Sequence, residues 1–223
     1  MCGIIGYKGS ANAAGGAATI VFEGLKRLEY RGYDSWGLAF MDGKGLHVEK
    51  NVGKIGDFNG FKAPKEAGLA IGHTRWATHG GVTQANAHPH LSNNKRIAVV
   101  HNGIVENYQA LRKRLQEKGF QFHSQTDTEV IPHLIEDFMK QGQDFFNAVR
   151  NTCLALEGRY AFLAVDAASG QLIGARNGSP LVAGLGKDEF FIASDIPAFL
   201  PHTSQVVFLD DHQLVQVNST LEL

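Results

Sequence analysis

Cysteine is almost missing from this 223-residue sequence, which holds only Cys2 and Cys153. Two thiols so far apart in the chain offer no disulfide framework, which argues against a stapled secreted scaffold and for a reducing, cytoplasmic setting. Long hydrophobic runs are missing as well. No stretch approaches the ~18 apolar residues of a membrane span, and the N-terminus has no charged region leading into an apolar one, so neither a membrane nor an export route is expected. An excess of one charge is the third absence: 21 Lys and Arg stand against 22 Asp and Glu, a formal net charge of -1. Without a basic run, nucleic acid and anionic lipid are not expected partners. Internal repeats and low-complexity linkers do not occur either, which argues for one domain.

What is present is a globular composition, 43% hydrophobic and 19% charged, with 26 glycines that imply many tight turns and close backbone approaches. Apolar periodicity predicts a buried strand over Cys2 to Tyr7, a small-residue loop from Gly9 to Gly16, and a helix with Ile20, Val21, Leu25 and Leu28 on one face, closed by Arg31-Gly32. A turn at Tyr33 to Ser35 leads to a hairpin of Trp36 to Met41 and Gly45 to Val52, joined at Asp42-Gly43. Strands follow at Leu69 to His73 and Ile97 to His101, separated by a long irregular polar segment, Thr74 to Asn94. Such segments inside compact domains are usually functional. Helices are expected over Tyr108 to Lys118, Glu129 to Lys140 and Phe145 to Leu156, with a strand at Phe120 to His123. The remainder reads as strands: Arg159 to Asp166, Gln171 to Arg176, Leu181 to Leu185, Phe190 to Ser194, Gln205 to Leu209 and Gln213 to Val217. Strands, a helical block, then strands indicate an α+β fold of mostly antiparallel sheets with helices outside.

Cys2 stands directly behind the initiator methionine. If Met1 is removed, Cys2 carries a thiol and a free α-amine, which titrate near ~8.5 and ~7.7–8.0, so one residue contains both nucleophile and base. An ordinary buried cysteine at a strand start is the bland alternative. Five further stretches carry possible chemistry. Arg31 to Ser35 leaves a helix end with charges of both signs, or is a plain cap. His73 to Gly80 offers Arg75 as a bidentate grip for a carboxylate and Trp76 as a wall or lid, or is a surface loop. Asn86-Ala87-His88-Pro89-His90, with His73, His79 and His101 elsewhere, makes a metal conceivable, although no metal-binding frame accompanies them. Asn102-Gly103 pairs an amide side chain with a glycine N–H, as an oxyanion site needs; a strand-end turn is the alternative. Thr126 and Glu129 have capping-box spacing, which leaves Asp127 either as first-turn decoration or as an anion for a substrate ammonium.

In this order, Cys2-Gly3-Ile4, Leu28 to Ser35, His73 to Gly80, Asn86 to His90, His101 to Ile104, Thr126 to Glu129 and Gly178 to Leu181 resemble one family over essentially the whole chain. It is the N-terminal-nucleophile glutamine amidotransferase domain, in the form carried by glutamine–fructose-6-phosphate aminotransferases. The resemblance implies a four-layer αββα sandwich over residues 2–223, a glutaminase that needs no cofactor or metal, and L-glutamine as substrate. It also implies roles. Cys2 would attack the side-chain amide with its own α-amine as base, and Asn102 with Gly103 would form the oxyanion hole. Arg75 would hold the substrate α-carboxylate and Asp127 its α-ammonium. Trp76, Thr78 and His79 would close over the substrate, and Arg31 would support the site. His88 and His90 would be structural.

Trp36 departs from the family pattern, standing where a small residue is usual after Tyr-Asp-Ser, so the packing beneath that turn should differ. The family's sugar isomerase half has no counterpart here; it would be the ammonia acceptor, as a domain or subunit, and a homodimer is possible. A glutaminase domain of another amidotransferase, a non-catalytic module of the same fold and a zinc hydrolase are the alternatives. His101 is the first other residue to consider as a base.

Overall fold

A computed structural model describes residues 2–9, 16–62, 67–218 and 220–222. Met1, and most of the expected loop between Gly9 and Gly16, lie outside the described residues. The elements run β1 (Gly3–Gly9), α1 (Gly16–Arg27), β2 (Ser35–Asp42), β3 (Gly45–Val52), β4 (Leu69–Arg75), β5 (His90–Leu91) and β6 (Ile97–Gly103). Then come α2 (Tyr108–Glu117), α3 (Val130–Lys140), α4 (Phe145–Ala155), β7 (Tyr160–Asp166), β8 (Gln171–Asn177), β9 (Val182–Leu185), β10 (Glu189–Ala193), β11 (Val206–Phe208), β12 (Leu214–Val217) and β13 (Leu221–Glu222). None of the described helices is long and apolar enough to cross a membrane.

These strands form two antiparallel sheets, ordered β11-β9-β10-β1-β4-β2-β3 and β13-β12-β8-β7-β6-β5. Buried side chains of both, including Ile4, Ile71, Val100, Leu163, Ile192 and Val215, make the core between them. On the outer face of the first sheet, α1 packs through Val21 and Leu25 with Trp36 and Leu38. The second sheet is covered by α2, α3 and α4 through residues such as Leu115, Leu134 and Val149. The result is the αββα layering that the resemblance implied. Its inner strands are buried on both faces, β4 and β7 throughout, which is why they read as continuous apolar runs rather than alternating ones.

Four local expectations change. Phe120 to His123 is not a strand. The N–H of Phe120 closes the end of α2 on the Leu115 carbonyl, and that of His123 is taken by the Glu129 carboxylate at 2.8 Å, so no ladder partner is needed. Thr126 and Glu129 do not form a capping box: Glu129 reaches back to the N–H groups of His123 and Ser124, while Thr126 N–H binds the Ser124 hydroxyl. Two short strands escaped the sequence reading, β5 inside the segment taken as irregular and β13 near the end. The first helix stops at Arg27, and a 3-10 turn over Glu29–Arg31 follows it.

Trp36 is 1% exposed and sits edge-on to Phe22 and Phe58, with ring centroids 5.4 and 5.0 Å away. The large side chain after Tyr33-Asp34-Ser35 thus fills the layer between α1 and the first sheet. Trp36→Ala should cost about 3–5 kcal/mol, the usual penalty for emptying a buried aromatic site, read as a lowered urea midpoint. A change below about 1 kcal/mol would mean that the layer collapses around the gap.

Candidate active site

Cys2 leads into β1, whose first residue pairs with Thr74 of β4 in the first sheet. Its backbone nitrogen donates to Asn102 Oδ1 at 3.2 Å, and Asn102 belongs to β6 in the second sheet. The start of the chain is therefore tied across the sandwich. Its Sγ lies against the backbone of Trp76, 3.4 Å from the N–H and 3.7 Å from the carbonyl. Burial pushes the Cys2 thiol up, against the lowering influence of the Trp76 N–H and the Arg75 charge. The Asn102 Nδ2, by contrast, is buried and has no partner among the described residues. Because Oδ1 is engaged by Cys2, that free N–H₂ group is the part of the amide left to donate.

Gly103 ends β6 at φ 141°, where a Cβ would collide with the Arg159 carbonyl, so only glycine places its N–H beside Asn102 in this strand end. The wall opposite is the Arg75–Ala77 backbone. It is fixed by Gly32, whose missing side chain leaves room for it: a Cβ there would sit 2.6 Å from the Arg75 carbonyl carbon and 2.8 Å from Trp76 N. Asp34 completes the brace, its N–H donating to Arg75 O at 3.0 Å and its carboxylate accepting from Ala77 N–H at 2.8 Å. Arg75 itself is buried, and its guanidinium donates to the carbonyls of His79, Gly80 and Gly81. Asn86 anchors the far end of this loop, donating to Gly81 O at 3.0 Å and accepting from Gln125 N–H at 2.9 Å.

A layer of buried histidines forms the inner side of the pocket, which His88 and His101 line. His73 donates from Nε2 to the His101 carbonyl at 2.9 Å and stacks on His88 at 3.9 Å, while His88 Nδ1 accepts the His101 N–H at 3.2 Å. His101 Nδ1 meets Thr128 Oγ1 at 2.8 Å, and His90 Nε2 meets Thr126 Oγ1 at 2.9 Å. The His88 contact needs a neutral ring, since a proton on its Nδ1 would face an N–H donor. Burial accordingly lowers all four, His73 to about 3. His88 and His90 thus have packing and hydrogen-bond partners of their own. Asp127 turns one oxygen to Val105 N–H at 2.8 Å and is 4% exposed. Burial would raise the neighbouring Glu129 carboxyl, but the His133 ring, the Ser124 hydroxyl and two backbone N–H groups hold it down to about 2.

One small pocket is lined by Cys2, Arg75, Trp76, Thr78, His79, Gly103 and Asp127, with about 20 Å³ of free space, room for little more than one water. The structure thus brings most of the sequence-derived site residues together, with Asn102 joined to them through Cys2. Arg31 is not among the lining residues. It pairs with Asp195, which also accepts from the Tyr30 hydroxyl, and so secures the segment leading to Gly32. Gly32, Asp34 and Asn86 were missed as supports, as was Ser194, whose hydroxyl and N–H hold Ile4 next to Cys2. The Arg-Gly-Tyr-Asp and Asn-Ala-His-Pro-His strings contained the signal for the first three; Ser194 carries no local one.

A family model described as a glutamine amidotransferase domain matches residues 73–201. The glutamine–fructose-6-phosphate aminotransferase of Clostridium perfringens is 49% identical over 218 residues, covering 96% of this chain and 35% of that protein. The enzyme of the same name from Sulfurisphaera tokodaii is 49% identical over 216 residues, covering 96% of this chain and 36% of its own. The chain therefore spans about a third of the length of the curated relatives it matches. Among solved structures, the glutamine phosphoribosylpyrophosphate amidotransferase of B. subtilis superposes with a TM-score of 0.82 at 28% identity, covering 99% of this chain and 48% of that one.

The neutral histidines make stability pH-dependent. Their folded-state values lie below the ~6.5 of an unfolded histidine, so their contribution is complete above pH ~6.5 and is lost as the pH falls below it, for His73 down to about 3. Each can remove up to about 1.4 kcal/mol per pH unit in that window. Urea midpoints should fall steadily from pH 7 to 5, well before Glu129 begins to titrate. A midpoint unchanged over that range would show that the rings are protonated or solvated.

Proposed function

The chain belongs to the glutamine amidotransferase domain family, and on that premise we propose that residues 2–223 form a glutaminase domain, with Cys2 cleaving the side-chain amide of L-glutamine. The observation that carries this reading is the Asn102 amide, held by its oxygen at the Cys2 nitrogen and left with a buried, unpartnered N–H₂ group. An unpaired buried donor is costly in a resting protein. It is well used where a negative oxygen develops during reaction.

Removal of Met1 frees the Cys2 nitrogen as an amine. Burial keeps the thiol protonated, so a base is required, and an α-amine titrating near ~7.7–8.0 suits that task. The amine takes the thiol proton, directly or through a water, and sulfur attacks the amide carbon. Asn102 Nδ2 and Gly103 N–H stabilise the oxyanion. The C–N bond then breaks, the ammonium proton passes to the leaving nitrogen, and ammonia departs from a γ-glutamyl thioester. Water attacks the thioester, releasing glutamate and restoring the thiol.

Arg75 binds the substrate α-carboxylate with the part of its donor fork that the loop carbonyls leave free, and Asp127 binds the α-ammonium with the oxygen not given to Val105. Glutamine exceeds the space now present, so Trp76, Thr78 and His79 move outward to admit it and close behind it. Arg31 acts from a distance by holding Gly32 against the Trp76 backbone. The ammonia acceptor is a sugar isomerase domain or subunit that aminates fructose 6-phosphate, a reading supported by the names of the longer relatives.

Glutamate release by this chain alone is the deciding measurement. Cys2→Ala should abolish it while leaving the circular dichroism spectrum unchanged, since little volume is lost. Turnover near wild type in that variant, or full activity in protein whose intact mass still includes Met1, would refute the mechanism. Asn102→Ala should lower kcat by roughly 10²–10³, the loss typical of one oxyanion donor. A change confined to KM would make Asn102 a ground-state binder instead.

A further inference from the structure

A second cavity, of about 230 Å³, lies on the other side of the His90–Thr126 contact from the Cys2 pocket. Lys50, Lys95, His123 and Glu129 are among its lining residues. Lys50 is the unusual member. It lies on β3 opposite Gly37, and its Cγ would be 3.2 Å from a Cβ at that glycine, so the missing side chain opens the slot along which the lysine stem runs. Its Nζ makes no hydrogen bond or ion pair with any described residue. Glu129 lines the same cavity and its charge reaches the lysine, but the two form no close ion pair. One oxygen takes His123 N–H, and the other takes both the N–H and the hydroxyl of Ser124.

A half-buried ammonium without a partner is costly, and the amine can lower that cost by shedding its proton. Burial brings Lys50 down to about 8, against a smaller opposing influence from Glu129. Near neutral pH such an amine has a free-base fraction roughly a hundredfold larger than an ordinary lysine. A lysine desolvated in this way is the usual form of an amine nucleophile. Two further cationic or donor side chains, Lys95 and His123, stand exposed at the rim without an acidic partner among the described residues.

We propose that Lys50 is a nucleophilic amine in a site separate from the Cys2 pocket, which takes a small aldehyde or ketone bearing an anionic group and binds it as an imine. Lys50 Nζ gives its proton to solvent and attacks the carbonyl carbon. The C–N bond forms, and the carbonyl oxygen leaves as water, with no change of oxidation state. Lys95 and His123 face the anionic group and hold the carbonyl end toward Lys50.

The test uses the full chain with pyridoxal 5′-phosphate, an aldehyde carrying a phosphate, trapped by borohydride and mapped by peptide mass. Lys50 should be modified at least about tenfold faster than the exposed Lys44 and Lys113, following its larger free-amine fraction. Lys50→Arg and Lys50→Met should each remove that label. Lys95→Ala and His123→Ala should slow labelling by pyridoxal phosphate and leave labelling of Lys50 by propanal unchanged. Modification of Lys50 no faster than that of the exposed lysines would overturn the proposal. Equal slowing of both aldehydes by the rim substitutions would overturn the anionic part of it.

Discussion

The contact between the Cys2 nitrogen and the Asn102 side chain is where the two sheets meet chemically. Cys2 leads into a strand of one sheet and Asn102 ends a strand of the other, so their 3.2 Å separation depends on how the two layers pack. The core between them is built from Ile4, Ile71, Val100 and Leu163, all fully buried. Close-packed interiors pass on changes of a single methylene. A substitution in this layer, at Val100 for example, can therefore alter the separation of the Cys2 nitrogen and the Asn102 amide without touching either.

The buried histidines show the same dependence from the polar side. His101 is held at its carbonyl by His73, at its N–H by His88 and at its ring by Thr128, so the residue before Asn102 has almost no freedom. Neutral imidazoles suit this use because each can donate at one nitrogen and accept at the other. Their cost is sensitivity to acid. An apolar layer would be insensitive to pH, but it could not satisfy the backbone groups of a strand end that lies beside a polar pocket.

How far this arrangement was legible follows from the range of the contacts. Periodicity within one element revealed α1, the Asp42-Gly43 hairpin and the buried strands, because each depends on neighbours a few residues away. Phe120 to His123 has the composition of a strand, yet the helix end at Leu115 and the carboxylate of Glu129 take its N–H groups. The Thr126–Glu129 spacing suggested a cap, but His90 claims the threonine hydroxyl from 36 positions away. Cys2, Arg75, Asn102 and Asp127 stood out because their side chains bear recognisable chemistry, and the structure brings them to one place. Ser194 did not stand out, since a buried hydroxyl serving a distant backbone looks in sequence like any polar loop residue, and Asn86 stood out only together with the neighbouring histidines.

The supports that escaped notice show how the loop over the pocket is fastened. Ala77 is pinned to Asp34, and Gly81 is held by Asn86, so the loop is fastened near both ends. Between them, His79 and Gly80 are held at their carbonyls by the Arg75 guanidinium. The middle of the loop thus hangs on the one Arg75 side chain, while Gly32 and Asp34 keep the Trp76 N–H in place against the sulfur.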